Sequence, residues 1–381
     1  MNDGKRRGRG VGPELRRRVI ASRLNGRAKG ARVLYRLIWL LPLLLIVIPA
    51  LANPGDVRRF PARGMIRAQL RIHGSTDIEV FAAVITDYQR LHPDTEVVYE
   101  DIVAGDIYNR YLHPQPGTAS PDLLISASAD LQTKLVNDGH ALEYRSPQTD
   151  ALPEWARWRH EIFAISYEPV VIVYNTRRLP AAQVPRTRRE LLALLRDPTM
   201  PLRGRIGTYD VQRSGVGYLF ATQDAQLGSI AGALLAALGD NQVKLEQHTG
   251  ALLDKVARGD LLLAYNVFGS YVQARIDAGA PLAIVQPEDC TLVALRTAVI
   301  PRRAPHANQA RQFLDYLLSP RGQQVLAQQA RLAPIMSAPT HTAPPFRPIS
   351  PGPGLLVYLD TLKRQQFLDA WRSSVRQVPQ H

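Results

Sequence analysis

With 381 residues the chain is long enough for two domains, each with its own buried core, and one small domain is excluded. The formal net charge is +14, but Met1 to Arg36 alone holds 12 Lys and Arg against Asp3 and Glu14, which leaves +4 for the rest. No basic stripe interleaved with aromatics follows, so a nucleic-acid partner is not expected. The single cysteine, Cys290, excludes an internal disulfide and a cysteine-cluster metal site.

The run Leu37 to Ala52, LIWLLPLLLIVIPALA, carries no charge, follows the basic segment and ends in Ala50-Leu51-Ala52. That is the layout of a secretory signal, with cleavage expected before Asn53. The run is short for a membrane span and is interrupted by Pro42 and Pro49, so cleavage is favoured over a retained anchor.

After the leader, Met65 to Ile72 alternates apolar and polar residues as a strand, and His73-Gly74-Ser75-Thr76 makes a small polar corner. Ile78 to Leu91 repeats Ile78, Phe81, Ala82, Ile85 and Tyr88 at helical spacing and stops before His92-Pro93. Thr95 to Ile102 reads as a strand, and Asp106 to Leu112 as the body of a helix. Leu123 to Ile125 is too short for a helix and reads as a buried parallel strand. Ser126, Ala127 and Ser128 turn the chain into a helix whose apolar face is Leu131, Leu135 and Val136 and whose end is Gly139. A helix start leaves backbone N–H groups unpaired beside these hydroxyls, which is a place for an anion. The order is βαβαβα, which predicts a largely parallel sheet covered by helices.

Phe163 to Asn175 is the longest strand-like run and contains Pro169, so it is where the chain is expected to cross between lobes. Thr187 to Arg196 reads as a helix. Two further strand-to-helix corners follow, Thr208 through Ser214-Gly215 and Tyr265-Asn266 through Tyr271. Leu282 to Val285 and Leu292 to Ile300 return the chain in a second crossing. Beyond Ser337 a proline-rich segment precedes a last amphipathic helix, Leu355 to Arg376, with Leu359, Leu362, Phe367 and Trp371 expected to dock on a lobe.

Asp122 to Ala141 (DLLISASADLQTKLVNDGHA), Tyr174-Asn175, Gly207 to Tyr218 (GTYDVQRSGVGY), Ala264 to Tyr271 (AYNVFGSY), Arg296 to Pro301 (RTAVIP) and Ala304 to Ala327 (APHANQARQFLDYLLSPRGQQVLA) together resemble the periplasmic solute-binding proteins of ABC transporters. The likeness is to the two-lobed type 2 branch that handles ferric iron and phosphorylated solutes, and it extends to phosphoglycerate transport regulatory binding proteins. It implies an α/β fold of two lobes, each a mostly parallel sheet flanked by helices, joined by extended hinge crossings that let the lobes close on a solute. The implied division is 1–52 leader and signal peptide, 65–170 first part of lobe one, 171–285 lobe two, 286–340 return to lobe one, and 341–381 proline-rich segment and C-terminal helix. Carried onto this sequence, the implied ligand-binding residues are Ser75, Thr76, Ser126 and Ser128 in lobe one. In lobe two they are Thr208, Ser214, Gly215, Tyr265, Asn266 and Tyr271.

The resemblance also implies a periplasmic protein whose partners are a small anionic solute and an ABC permease, with a sensor kinase as a further partner. A ferric site in the family uses adjacent tyrosines, whereas Tyr265 and Tyr271 are separated by a turn with no His or Glu on the corner, so no metal is assigned. Hydroxyls, Asn266 and helix starts suit a phosphate ester or carboxylate, with Arg213 as an added contact. Ferric-iron transport and periplasmic signalling stay as alternatives. No catalytic residue and no cofactor are assigned: there is no G-x-S-x-G elbow, Walker loop or H-E-x-x-H, and Gly215-Val216-Gly217 lacks the third glycine of a dinucleotide site.

Overall fold

The computed structural model describes residues 56–228, 230–337 and 345–375. The leader with its expected cleavage before Asn53 and the start of the proline-rich segment, 338–344, lie outside the described residues.

The chain opens with β1 (Asp56–Phe60), β2 (Ala68–Gly74), α1 (Ile78–Leu91), β3 (Thr95–Asp101), α2 (Ala104–Leu112), β4 (Leu123–Ser126) and α3 (Ala129–Asn137). Two short pieces, α4 (Pro147–Asp150) and β5 (Arg157–Trp158), lead to the long strand β6 (Ile162–Asn175). Next come α5 (Arg188–Arg196), β7 (Ile206–Tyr209), α6 (Gly215–Ala225), α7 (Ile230–Asp240), β8 (Lys244–Glu246), α8 (Thr249–Arg258), β9 (Leu263–Phe268), α9 (Gly269–Asp277) and β10 (Leu282–Val285). β11 (Thr291–Val299), α10 (Ala307–Leu318), α11 (Pro320–Gln328), β12 (Ala333–Pro334), β13 (Phe346–Pro348) and α12 (Thr361–Val375) complete the order.

The strands run β1-β3-β2-β4-β11-β6-β9-β7-β8 across the molecule. β3, β2 and β4 are mutually parallel, as are β9, β7 and β8, so each half holds the parallel set that the βα alternation predicts. Antiparallel pairing enters at the edge strand β1 and at the two middle strands β11 and β6. β6 changes partner inside its length: Phe163 to Pro169 pair with β11, whereas Val170 to Tyr174 pair with β9. Pro169 has no N–H to give to a ladder, and it stands at the handover, where one partner ends and the next begins.

Separate cores form on the two sides of this handover. Phe81, Tyr88, Phe163, Phe313 and Leu317 pack over the first half of the sheet, and Leu191, Leu234, Leu238, Leu263 and Trp371 over the second. α1 matches its expected limits because both are set locally, by an apolar stripe and by the break at His92-Pro93.

Three expectations are corrected. Met65 and Ile66 are exposed and not in a strand, and β2 begins at Ala68, with Leu70 and Ile72 buried. The last helix does not begin at Leu355: Pro353–Leu359 is a 3₁₀ segment, and α12 starts afresh where the Asp360 side chain accepts hydrogen bonds from the backbone N–H groups of Leu362 and Lys363. Leu362 therefore faces solvent, while Trp371 is buried.

Candidate functional site

The first corner, after β2, is held from beneath. The Tyr99 hydroxyl donates to the Thr76 carbonyl at 2.7 Å and accepts from the Thr76 N–H at 3.2 Å. The ring passes so close to Gly74 that a Cβ there has no room. Ser75 Oγ accepts from the Ala127 N–H at 3.2 Å, which ties this corner to the one after β4. In that second corner Ser126 Oγ accepts from the Ser128 N–H at 3.1 Å.

Ser128 occupies the N-cap position of α3, yet its side chain makes no capping bond, and its Oγ is buried without a hydrogen-bond partner among the described residues. A buried hydroxyl without a partner normally costs free energy and needs a reason. Gly215, the first residue of α6, packs against it: a Cβ on Gly215 would come within 2.7 Å of Ser128 Oγ and 2.8 Å of the Gly105 backbone in the first turn of α2. The starts of α2, α3 and α6 thus meet at one point, and helix starts carry unpaired N–H groups and partial positive charge. By contrast Ser214 is an ordinary cap, its Oγ accepting from the Gly217 N–H at 3.2 Å.

A cavity of about 340 Å³ opens beside this meeting point. Its walls carry Asp130 and Lys134 from α3, Asn109 from α2, Arg213 and Gly215 from the β7–α6 corner, and Arg364 from α12. Asp130 is buried, its Oδ1 has no partner among the described residues, and burial pushes its carboxyl up to about 7. The cavity thus presents Arg213, Arg364 and Lys134, the last paired with Asp138 at 2.7 Å, together with the acids Asp106 and Asp130.

A second group sits where β6 and β11 pass side by side. Arg296 and Glu168 form a buried ion pair at 2.6 Å. Arg296 also donates to Thr76 Oγ1 at 2.6 Å, and Ser270 Oγ donates to Glu168. Tyr271 reaches Asp77 across the gap at 3.5 Å. Thr76 and Tyr271 belong here, and the pair links corners from both halves of the sheet.

Three of the expected site residues lie elsewhere. Tyr265 donates its hydroxyl to Asp224 at 2.8 Å and accepts from Arg188 Nε at 2.8 Å, inside the second half of the molecule. Asn266 donates to the same Asp224 carboxylate at 2.6 Å, in a left-handed conformation with φ 62° that asparagine tolerates. Thr208 Oγ1 donates to the Tyr265 carbonyl at 3.1 Å. Burial and the neighbouring Asp224 push the Tyr265 phenol far above its ordinary value, so a phenolate is disfavoured there.

Sequence reasoning did not single out Glu168, Arg296, Ser270, Asp130 or Arg364. Arg296 and Glu168 interrupt otherwise apolar strands, a signal that was open to reading: a charge within a buried run requires a partner. Asp130 in the first turn of a helix reads as an ordinary acidic N-terminal residue, and only its burial sets it apart.

The bacterial extracellular solute-binding protein family matches residues 70–329 of the chain. A solved structure titled as the substrate binding protein of the ABC transporter from Agrobacterium tumefaciens is 32% identical, with 84% of this chain and 99% of that one covered and a TM-score of 0.78. The periplasmic binding protein AfuA from Actinobacillus pleuropneumoniae, solved with exogenous fructose-6-phosphate bound, is 20% identical, with 82% and 100% covered and a TM-score of 0.65. Iron-bound HitA from Pseudomonas aeruginosa is 16% identical, with 81% and 99% covered and a TM-score of 0.64. Among curated protein sequences no match is found. The chain belongs to the bacterial extracellular solute-binding protein family. It is a solute-binding protein of an ABC transporter, with the two-lobed type 2 fold.

Proposed function

We propose that this protein captures a small oxyanion that also bears a hydroxyl group, such as a hydroxylated phosphate ester or carboxylate, and delivers it to an inner-membrane permease. It acts by binding and not by catalysis. The observation that carries the reading is Ser128: a buried, unpartnered hydroxyl at a helix start, facing two other helix starts. Three such starts supply N–H donors to an anion, and Lys134, Arg213 and Arg364 add charge nearby. Asp130 beside them would repel a bare anion, so its free oxygen is assigned to a hydroxyl of the solute.

In this reading 65–170 and 286–340 form lobe one and 171–285 lobe two, with β6 and β11 as the hinge crossings that let the lobes close. Ser75, Thr76, Ser126, Ser128, Ser214, Gly215 and Tyr271 lie along the cleft, while Thr208, Tyr265 and Asn266 brace lobe two from inside. Signal-directed export with cleavage before Asn53 places the protein in the periplasm. The ferric alternative is weaker because Tyr265 and Tyr271 lie in different neighbourhoods and Tyr265 is held protonated by its surroundings.

Calorimetry on the full chain with 3-phosphoglycerate, fructose 6-phosphate, inorganic phosphate and ferric citrate tests the reading. At least one hydroxylated phosphate ester is expected to bind, and Ser128→Ala to weaken it tenfold or more, since a hydrogen bond to a charged group is worth about 1.5–3 kcal/mol. Binding of ferric citrate alone would overturn it.

A further inference from the structure

The C-terminal segment lies outside the matched residues 70–329, yet it runs along both halves of the molecule. β13 adds in parallel to β11, and the Thr291 N–H donates to the Pro345 carbonyl at 2.7 Å. Ile349 and Leu355 are buried with Ala127 and Ala129 at the start of α3. From there the segment passes to lobe two: the Tyr358 carbonyl accepts from the Tyr218 hydroxyl of α6, and Phe367 meets the Tyr218 ring edge-on at 5.4 Å. Trp371 and Val375 are buried with Leu234 and Leu238 of α7. α7 and α12 approach so closely that Gly239 faces the Ser374 carbonyl with no room for a Cβ.

This path carries Arg364 to the cavity wall. Its guanidinium lies 4.5 Å over the Tyr218 ring, which fixes the planar group, and its charge acts on the Asp130 carboxyl across the cavity. Leu359 and Arg364 face the cavity from the tail, while Asp130 and Lys134 face it from α3 and Arg213 and Gly215 from the β7–α6 corner. Removing the tail would leave that wall open.

We propose that the C-terminal segment is part of the solute site and that Arg364 is a specificity-determining contact to the anionic group. The proposal rests on the oxyanion reading above. A guanidinium fork matches a phosphate or carboxylate in two parallel hydrogen bonds, and one already stacked on an aromatic ring loses little freedom on binding. Because the segment touches α3 on one side and α6 and α7 on the other, a solute held by Arg364 also draws the tail onto the closed cleft.

The test compares the full-length protein with Arg364→Gln and Arg364→Lys by calorimetry, using 3-phosphoglycerate, fructose 6-phosphate and inorganic phosphate. Arg364→Gln is expected to weaken whichever phosphate binds by about tenfold to a hundredfold. Arg364→Lys should recover only part of the loss, and the exposed Leu362→Ser should bind as the unmodified protein does. Hydrogen exchange across 353–375 should slow when that phosphate is added, a readout that stands even if Arg364→Gln folds poorly. Unchanged affinity in Arg364→Gln, or unchanged exchange in the tail at saturation, would overturn the tail's role while leaving the oxyanion reading intact. An unmodified protein that binds none of the three phosphates and no hydroxylated carboxylate, with glycerate as the probe, would overturn both.

Discussion

Two buried polar clusters in this protein are built from similar residues and end in opposite states. In lobe two, Arg188, Asp224, Tyr265 and Asn266 satisfy one another: Arg188 donates to Asp224 at 3.1 Å, to Tyr265 and to the Cys290 carbonyl, and pairs with Asp289 at 3.4 Å. At the meeting of α2, α3 and α6, Ser128 Oγ and Asp130 Oδ1 are equally buried and have no partner among the described residues. The proposed assignment takes the incomplete network, and not the complete one, as the place that a solute completes. Polar composition alone does not separate a brace from a binding site. Between these two clusters, the difference is in the atoms left unsatisfied.

The two roles would be exchanged if the lobe-two cluster bound solute. Asp224→Ala leaves Arg188 buried with its main carboxylate gone, and the expected loss is about 3–5 kcal/mol in urea denaturation, with phosphate-ester affinity of the folded fraction unchanged. A small stability loss with abolished binding would reverse the assignment of the two clusters.

Asp130 should respond in the opposite direction. Burial raises its carboxyl to about 7 from the usual carboxylate range, so the folded state holds the proton more tightly, and its stabilising effect at low pH is lost as pH rises through that window. Asp130→Asn is therefore expected to stabilise the protein by about 2–4 kcal/mol at roughly pH 8 and hardly at all near pH 4. Thermal melts at the two pH values check this, and equal effects at both would mean that the carboxyl is solvated.

The smallest effects sharpen the contrast. Tyr265→Phe removes hydrogen bonds to Asp224 and Arg188 and should cost about 1–3 kcal/mol without touching affinity. Ser128→Ala removes a hydroxyl that satisfies nothing, so stability should stay within about 1 kcal/mol while affinity falls. The same pair of variants followed by melting and by calorimetry would show whether the two losses separate in this way.

Much of the scaffold was legible in the sequence, because helical spacing, short apolar runs and proline breaks act within one element. The limits of α1, the strand-helix corners at Ser126 and Ser214, and the crossing at Pro169 are of this kind. So was the resemblance that named the fold. The middle of lobe two, α7 to α8, was not read, since the nearly all-apolar run Ile230–Asp240 has no polar face to set a period.

Periodicity, breaks and small polar residues mark which segments turn, which are buried and where hydroxyls stand at helix starts. Only the tertiary structure decided which of those corners meet. Ser128 and Ser214 look alike as residues before a helix, but one caps its own helix and the other, pressed against Gly215, does not. Tyr265 and Tyr271 flank one corner in the chain, yet the first lies in β9 and turns into the lobe, while the second lies in α9 near Asp77. Arg364 reaches the cavity only because α12 packs on α7 and α6. The physical reason is the same in each case: periodicity records whether a side chain is covered, while its partner depends on packing between elements far apart in the chain.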